Sequence, residues 1–251
     1  MGAFDIEVLL QGLYPAGDGS SGNGLDGNNS GAINPGNDAA GRHGVARGDS
    51  VRRNMVPRHP AVWRPGERPA VPVRVVPCGV PELERQLPGG GWPLGCITEV
   101  INRGAGIGEV SLLLPALACL SQQGETVAWV APPFIPYAPA LQQAGIDMAQ
   151  MLWVDAHDEA DAVWAAEQSL RSGSCGAVLV WPGRADNTAL RRLQLAAEAG
   201  GAWCVVMRDR ASAGVASPAA VRVEVDSDGR RRQVRLLKCR GGHHGHVSLA
   251  A

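Results

Sequence analysis

Short apolar segments alternate with longer segments of helical periodicity from residue 78 onward, and this alternation constrains the fold more than any other feature of the sequence. The short segments are rich in valine and have the length of buried strands. They are CITEVI (96–101), TVAWVA (126–131), MLWV (151–154), GAVLVW (176–181) and AWCVVM (202–207). The segments between them are 109–123, 138–145, 158–173 and 187–201. Because strands that alternate with helices need crossover connections, the pattern predicts an α/β fold with a mostly parallel sheet covered on both faces.

The pattern changes after Pro218. There, the segments 221–225 and 232–237 are typical of strands and flank the turn sequence DSDGR. This arrangement predicts a β-hairpin appended to the α/β core. Residues 78–251 are therefore assigned to one domain.

The N-terminal part has a different composition. Residues 16–50 contain ten glycines and five asparagines and almost no large apolar side chains. Such a segment cannot bury enough apolar surface to offset the entropy of ordering it, so we predict that it is disordered. Arginines and prolines dominate residues 51–77, which favours an extended connector over a helix. The sequence therefore divides into a disordered tail (1–55), a proline-rich connector (56–77) and the α/β domain.

Composition excludes several classes of protein. No apolar run approaches the roughly 18 residues of a membrane span, and MGAFDIEVLL lacks the basic region of a secretory signal, so we expect a cytoplasmic protein without a membrane partner. The 23 basic and 24 acidic side chains leave a net charge of −1. This balance argues against a protein that binds nucleic acid through a general excess of positive charge, although a local basic patch stays open.

Residue types that carry chemistry are scarce. Lys238 is the one lysine among the 23 basic residues, so a Schiff base or a phosphate-binding lysine could use only this residue. The six cysteines stand singly, without a CxxC pair, and are interpreted as reduced core residues. His243, His244 and His246 lack the spacing of a tetrahedral site, so no metal is predicted.

A glycine-rich turn follows the first of these strands, where a nucleotide-binding P-loop would occur. The eight positions that would carry GxxxxGK[ST] are Arg103, Gly104, Ala105, Gly106, Ile107, Gly108, Glu109 and Val110. A carboxylate at the lysine position would face phosphate with like charge, and Val110 cannot ligate magnesium. Two interpretations stay open: the glycines serve only a tight turn, or the loop still binds nucleotide. We predict no cofactor.

The sequence GVPELERQLPGGGWPLGCITEV (79–100), followed by this turn and a helix, resembles the start of the RecA-type recombinase core, where a GGGxPxGxIxE segment precedes the P-loop. Over residues 78–240, the degenerate loop together with PGGGWP, WVAPPFIPYAPAL and LLKCRGG most resembles the ImuA family. These are the RecA/SulA-like accessory proteins of the bacterial mutasome. The resemblance implies a RecA-like P-loop NTPase core and a role in SOS-induced translesion DNA synthesis, a mutagenic form of DNA damage tolerance and repair.

The same resemblance indicates which residues of an ATPase are replaced in this chain. The P-loop lysine and threonine fall on Glu109 and Val110. The catalytic glutamate falls on Pro132, and a second acidic residue falls on Trp181. The loss of all four together implies that the fold is kept and that catalysis is gone. We therefore expect a protein that is not an enzyme.

The resemblance implies an adaptor that binds a Y-family-polymerase-like mutasome subunit and, through it, an error-prone replicative-type polymerase. Two alternatives stay open. One is a SulA-like cell-division inhibitor that binds the tubulin-like division protein. The other is an active RecA-type, DNA-dependent ATPase, which the loop sequence disfavours.

Candidate contact residues lie in the connector and in the basic C-terminal part. Trp63 would supply a large apolar anchor for a partner, and Trp92 is a second candidate, whereas Trp153 is predicted to lie in the core with the tryptophans of the other strands. The arginines that could pair with carboxylates of a partner or phosphates of DNA are Arg208, Arg210, Arg230, Arg231 and Arg232. A weak DNA contact and a solvated charged edge that prevents aggregation are both open.

Deletion of residues 1–54 tests the predicted tail. We expect the thermal midpoint of unfolding to stay nearly unchanged, because this segment can bury little apolar surface. Calorimetric scans of the full and the shortened chain measure the difference. A midpoint lower by several degrees in the shortened chain would show instead that the tail packs on the domain.

Overall fold

A computed structural model describes residues 74–103, 106–227, 231–242 and 245–250. The predicted tail, most of the predicted connector, and three candidate residues lie outside these ranges. The three residues are Trp63, Gly104 and Arg230. What the sequence predicts for these parts therefore stays a prediction.

The described residues form ten strands and five α-helices. The strands are β1 (Val75–Pro77), β2 (Gly91–Pro93), β3 (Ile97–Asn102), β4 (Thr126–Val130), β5 (Met151–Val154), β6 (Cys175–Val180), β7 (Trp203–Asp209), β8 (Val221–Ser227), β9 (Arg231–Cys239) and β10 (His246–Ala250). The helices are α1 (Pro81–Glu84), α2 (Leu114–Gln122), α3 (Ala138–Gln143), α4 (Glu159–Arg171) and α5 (Asn187–Gly200). No helix within the described ranges is both long and apolar enough to cross a membrane.

Eight of the strands form one sheet in the order β10-β9-β8-β3-β7-β6-β4-β5. The pairs from β8 through β3, β7, β6 and β4 to β5 are all parallel, while β9 and β10 continue the sheet in antiparallel pairing. β1 and β2 form a separate antiparallel pair. This arrangement confirms the predicted α/β class with a mostly parallel sheet.

Each face of the sheet carries its own apolar core, because successive side chains of a strand point to opposite faces. Along β6, Ala177 and Leu179 join one core, which also contains residues of α2, and Val178 and Val180 join the other, which contains residues of α4 and α5. Glycine is required where α5 meets α4, since a Cβ on Gly200 would lie 1.9 Å from the Leu170 carbonyl oxygen. The sheet is therefore covered on both faces, as the valine-rich strands predict.

Two tryptophans far apart in the sequence pack together in the first of these cores. The rings of Trp92 and Trp203 stack with centroids 5.6 Å apart, and both side chains are fully buried. The Trp203 indole N–H donates to Thr98 Oγ1 at 3.0 Å. The prediction that Trp92 is a partner anchor is therefore wrong, because the ring belongs to the core.

Aspartate N-caps fix the residues at which α4 and α5 begin, and so limit the length of the connections before these helices. The Asp158 carboxylate accepts the Asp161 N–H at 2.8 Å at the start of α4, and Asp186 accepts the Ala189 N–H at 2.7 Å at the start of α5. Both are N-caps of the type that aspartate favours. α5 ends at Gly201, which adopts the left-handed conformation with φ 68°.

Three boundaries differ from the sequence-based predictions. Val75–Pro77, assigned to the connector, form β1 and pair with β2. His246–Ala250 form β10 against β9, so the predicted hairpin is part of a three-stranded antiparallel unit. The helix predicted from residue 109 begins only at Leu114, because the preceding residues form the glycine-rich turn.

Candidate functional site at the carboxyl edge of the sheet

Five connections leave the parallel strands at the same edge of the sheet, because all five strands run in one direction. They are residues 103–113, 131–137, 155–158, 181–186 and 210–220, which follow β3, β4, β5, β6 and β7. Proteins with open parallel sheets bind ligands at this carboxyl edge. The glycine-rich turn, Pro132, Trp181 and Arg210 all lie there.

The glycine-rich turn closes on the side chain of Glu109. Glu109 Oε1 accepts the N–H of Gly106 and Oε2 accepts the N–H of Ile107, both at 3.0 Å. Positive φ angles of 85° at Gly106 and 89° at Gly108 allow this tight geometry. Glu109 is 2% exposed. The sequence suggested a carboxylate facing phosphate, whereas the carboxylate is turned back into the turn itself.

Two further residues that the resemblance aligns with a P-loop, Arg103 and Val110, also make internal contacts. Val110, at the position of the magnesium-binding hydroxyl, is buried and joins the core that contains α2. Arg103 Nε lies 3.2 Å from Asp226 Oδ2 of β8, and both side chains are about half exposed. Neither residue is therefore arranged to bind a phosphate or its metal ion.

Trp181 fills the position at which the RecA resemblance places an acidic residue. Its ring stacks on Trp129 with centroids 5.7 Å apart, and its backbone N–H donates to the Val130 carbonyl at 3.2 Å. Ala131, directly before Pro132, has φ 51°, an uncommon conformation for alanine. An indole and a proline thus occupy the positions at which the RecA resemblance places a second acidic residue and the glutamate that orients the attacking water.

Large apolar side chains are exposed on the connection after β4 and on the neighbouring edge strand β5. We call this set the apolar edge; its members are Phe134 (45% exposed), Ile135 (80%), Tyr137 (48%), Leu152 (43%) and Trp153 (37%). The prediction that Trp153 lies in the core is wrong, because β5 is the last described strand on its side of the sheet. No sequence pattern in this proline-rich segment predicts that its apolar side chains are exposed.

A fully buried carboxylate lies on the second face of β3, between β7 and β8. Glu99 Oε2 accepts Arg222 Nε at 2.5 Å, and Glu99 Oε1 lies 3.5 Å from Arg208 Nη1. The Ser217 hydroxyl donates to Glu99 Oε1 at 2.7 Å. Glu99 is 0% exposed, and both arginines are buried. We call Glu99, Arg208, Arg222 and Ser217 the Glu99 cluster.

The connection after β7 is fastened to this cluster. Arg222 Nη2 donates to the Ser212 carbonyl at 2.8 Å, and Lys238 Nζ donates to the Ser217 carbonyl at 2.8 Å. Burial is the main cause that lowers the pKa of Lys238, followed by the neighbouring charges of Arg240 and Arg222. The one lysine of the chain is therefore engaged in holding this connection.

The structure divides the candidate arginines into two groups. Arg208 and Arg232 are 8% and 9% exposed, so both are withdrawn from the surface contacts that the sequence predicted. Arg208 also donates to the Ala185 carbonyl at 2.9 Å. Arg210 and Arg231 are exposed. Arg210 lies 3.6 Å from Glu224, so part of its charge is compensated.

The cysteine thiols are unpaired, and burial disfavours the reactive thiolate form at several of them. Burial raises the pKa of the Cys78 and Cys239 thiols to about 11, so both stay protonated. All six cysteines are free thiols. In the part of the chain that the structure describes, which excludes His243 and His244, no three His, Cys, Asp or Glu side chains are grouped to hold a metal ion.

The substitution Glu99→Gln tests the Glu99 cluster. We expect the free energy of unfolding to fall by about 3–5 kcal/mol, because two buried guanidinium groups lose their counter-charge. Urea denaturation followed by circular dichroism measures this loss. Glu82→Gln is the matched control, since Glu82 forms an exposed pair with Arg85 at 3.9 Å and its loss costs about 0–1 kcal/mol. Equal stability of the two variants would contradict the stabilising role of the Glu99 cluster.

The chain is similar in sequence to proteins named ImuA, SulA and RecA. The model of the SulA family, described as cell division inhibitor SulA, matches residues 95–204. The SulA of Pectobacterium carotovorum is 30% identical over 121 residues, covering 48% of this chain and 72% of that protein. The RecA of Streptomyces avermitilis is 28% identical over 120 residues, covering 48% of this chain and 32% of RecA. The crystal structure of SulA from Pseudomonas aeruginosa matches with a TM-score of 0.40 and 28% identity over 45% of this chain and 97% of that chain.

The similarity extends further for one group of relatives. Protein ImuA of Caulobacter vibrioides is 32% identical over 208 residues. The match covers 72% of this chain and 84% of that protein. It spans most of both sequences, whereas the SulA and RecA matches are confined to about half of the chain. The chain therefore belongs to the ImuA family.

Proposed function

We propose that this chain is a non-catalytic adaptor on a RecA-like core, which binds a Y-family-polymerase-like subunit and so brings an error-prone replicative-type polymerase to damaged DNA. Membership of the ImuA family and the partial similarity to RecA support this proposal. One observation carries it. The carboxyl edge, where a relative with ATPase activity would bind nucleotide, is filled by internal contacts and displays exposed apolar side chains instead.

Internal contacts engage the described residues that stand where phosphoryl transfer would need its catalytic groups. Glu109 takes two backbone N–H groups that would otherwise be available to phosphate, and Val110 is packed in the core. Trp181 is stacked on Trp129. Catalysis of phosphoryl transfer depends on a bound metal ion, a cation at the phosphates and a group that orients water. The residues at the corresponding positions supply none of the three.

The apolar edge is the surface that best suits a protein partner. Pro132, Pro133 and Pro136 restrict the backbone of the connection that carries Ile135, so little conformational entropy is lost when the partner binds. Aromatic and aliphatic side chains that are already exposed supply the apolar contacts of an interface core. Trp63 stays a further predicted contact outside the described residues.

Direct binding to DNA is a weaker part of the proposal. Arg210 and Arg235 both lie 3.6 Å from the same carboxylate, Glu224, and Arg103 is paired with Asp226. These acidic neighbours reduce the positive potential at the carboxyl edge. Any contact of Arg210 or Arg231 with phosphates would therefore be weak and sensitive to salt.

A SulA-like division inhibitor is the second candidate, because the SulA model matches residues 95–204. Such a protein would bind the tubulin-like division protein rather than a polymerase-like subunit. Binding experiments with the two purified partners under the same conditions distinguish the two functions.

ATP binding provides a test of the non-catalytic assignment. We expect isothermal titration with ATP and magnesium to give no heat of tight binding, because a carboxylate stands where a cation would offset phosphate charge. Assays of phosphate release, with and without single-stranded DNA, should give no turnover above buffer. A micromolar dissociation constant, or turnover that is lost in Glu109→Ala, would contradict the proposal.

Introduction of a negative charge into the apolar edge tests partner binding. We expect Ile135→Asp to weaken binding of the polymerase-like subunit by at least about tenfold, which corresponds to about 1.4 kcal/mol. Ile135 is 80% exposed, so the fold should be unaffected. Surface plasmon resonance measures the affinities. Leu195→Asp on α5 is the matched control, since Leu195 is also exposed (61%) but lies outside the apolar edge. Wild-type affinity of Ile135→Asp would place the interface elsewhere.

A further inference from the structure

Glu109 is a buried carboxylate without a basic partner. It is 2% exposed, and it forms no ion pair with any arginine, lysine or histidine in the described part of the chain. A buried charge is costly unless polar groups compensate it. The groups that compensate Glu109 are the consecutive backbone N–H groups of Gly106 and Ile107. The carboxylate and the turn therefore depend on each other.

The arrangement has the chemistry of an anion site. Successive backbone N–H groups in a turn, or in alternating right-handed and left-handed conformation, converge on one point and form a concave nest for an anion. Here, Gly106 and Gly108 have positive φ, and the two N–H groups each meet one oxygen of the same carboxylate. A carboxylate carries its negative charge on two oxygens, as a phosphate group carries its charge on several.

We infer that Glu109 is an internal ligand of the glycine-rich turn, with its carboxylate in the place that an oxyanion would otherwise take. The turn is consequently held in a liganded form without nucleotide. This inference goes beyond the adaptor function and does not depend on it, because it concerns the turn alone. It also gives Gly106 and Gly108 a structural reason, because their positive φ angles let the turn receive the carboxylate.

If the carboxylate acts as a ligand, the turn requires an anion at this place, and an anion other than the Glu109 side chain can supply it. Glu109→Ala removes the carboxylate and leaves the two N–H groups without an acceptor. We expect this variant to unfold at a lower temperature than wild type and to recover several degrees in its midpoint as inorganic phosphate is added, along a saturable curve. The wild-type midpoint should not respond to phosphate beyond its response to chloride at equal ionic strength.

Glu84→Ala is the matched control for this experiment. The Glu84 carboxylate also accepts a glycine N–H, that of Gly79 at 3.0 Å, but it receives only this one backbone N–H. We expect no saturable phosphate effect in that variant. A phosphate response that is equal in wild type and Glu109→Ala, or absent in both, would overturn the inference.

A second measurement keeps the test decisive if Glu109→Ala does not fold. Glu109→Gln keeps the size of the side chain, but its amide group can accept only at one oxygen and brings an N–H donor against the second backbone donor. Amide hydrogen exchange by NMR should show protected Gly106 and Ile107 in wild type without nucleotide. Faster exchange at one or both positions in Glu109→Gln supports the inference, and unchanged protection at both overturns it.

Discussion

The packing of the central strands depends on the buried carboxylate of Glu99, which links β3 to β7 and β8. It lies on β3, which pairs in parallel with both β7 and β8, and it forms ion pairs with an arginine from each of these two strands. Removal of one member of a buried ionic group is strongly destabilising, because the remaining charges stay buried. Through Arg222 and Ser217, the same carboxylate also fixes the connection after β7. The Glu99 side chain thus helps to fix the conformation of residues 210–220 at the carboxyl edge.

Internal contacts at the carboxyl edge explain how a fold of this class can lose catalysis and remain well packed. Three of the four positions that the RecA resemblance assigns to nucleotide chemistry have a structural partner: Glu109 the turn, Val110 the core, and Trp181 the ring of Trp129. Open polar positions in an unused site would leave buried groups unsatisfied, which costs stability. On the proposed non-catalytic function, a partner contacts the remaining surface, and the apolar edge holds five of the eight large exposed apolar side chains of the described residues.

Local patterns predicted the strands well, and long-range pairing accounts for what they missed. GAVLVW (176–181) lies within one residue of β6, Cys175–Val180, because its valine-rich alternation is a property of the segment itself. β10 was missed because HVSLA owes its extended form to pairing with β9. The burial of Arg222 depends on Glu99, 123 residues earlier, and that of Trp92 depends on Trp203. In the candidate site, spacing predicted that Glu109 takes the lysine position of the loop, but it could not predict the direction in which the side chain points.

Two carboxylates of this chain meet the same requirement by different means. Glu99 is compensated by guanidinium groups, whereas the partners of the Glu109 carboxylate among the described residues are backbone N–H groups. A lysine at position 109 would therefore do more than reverse a charge, because it would also remove the acceptor of two backbone N–H groups. Val110 and Trp181 would still lack a metal-binding hydroxyl and an acidic side chain, and replacing either would open the packing around it. Recovery of nucleotide chemistry would require several simultaneous changes, each of which destabilises the fold when made alone.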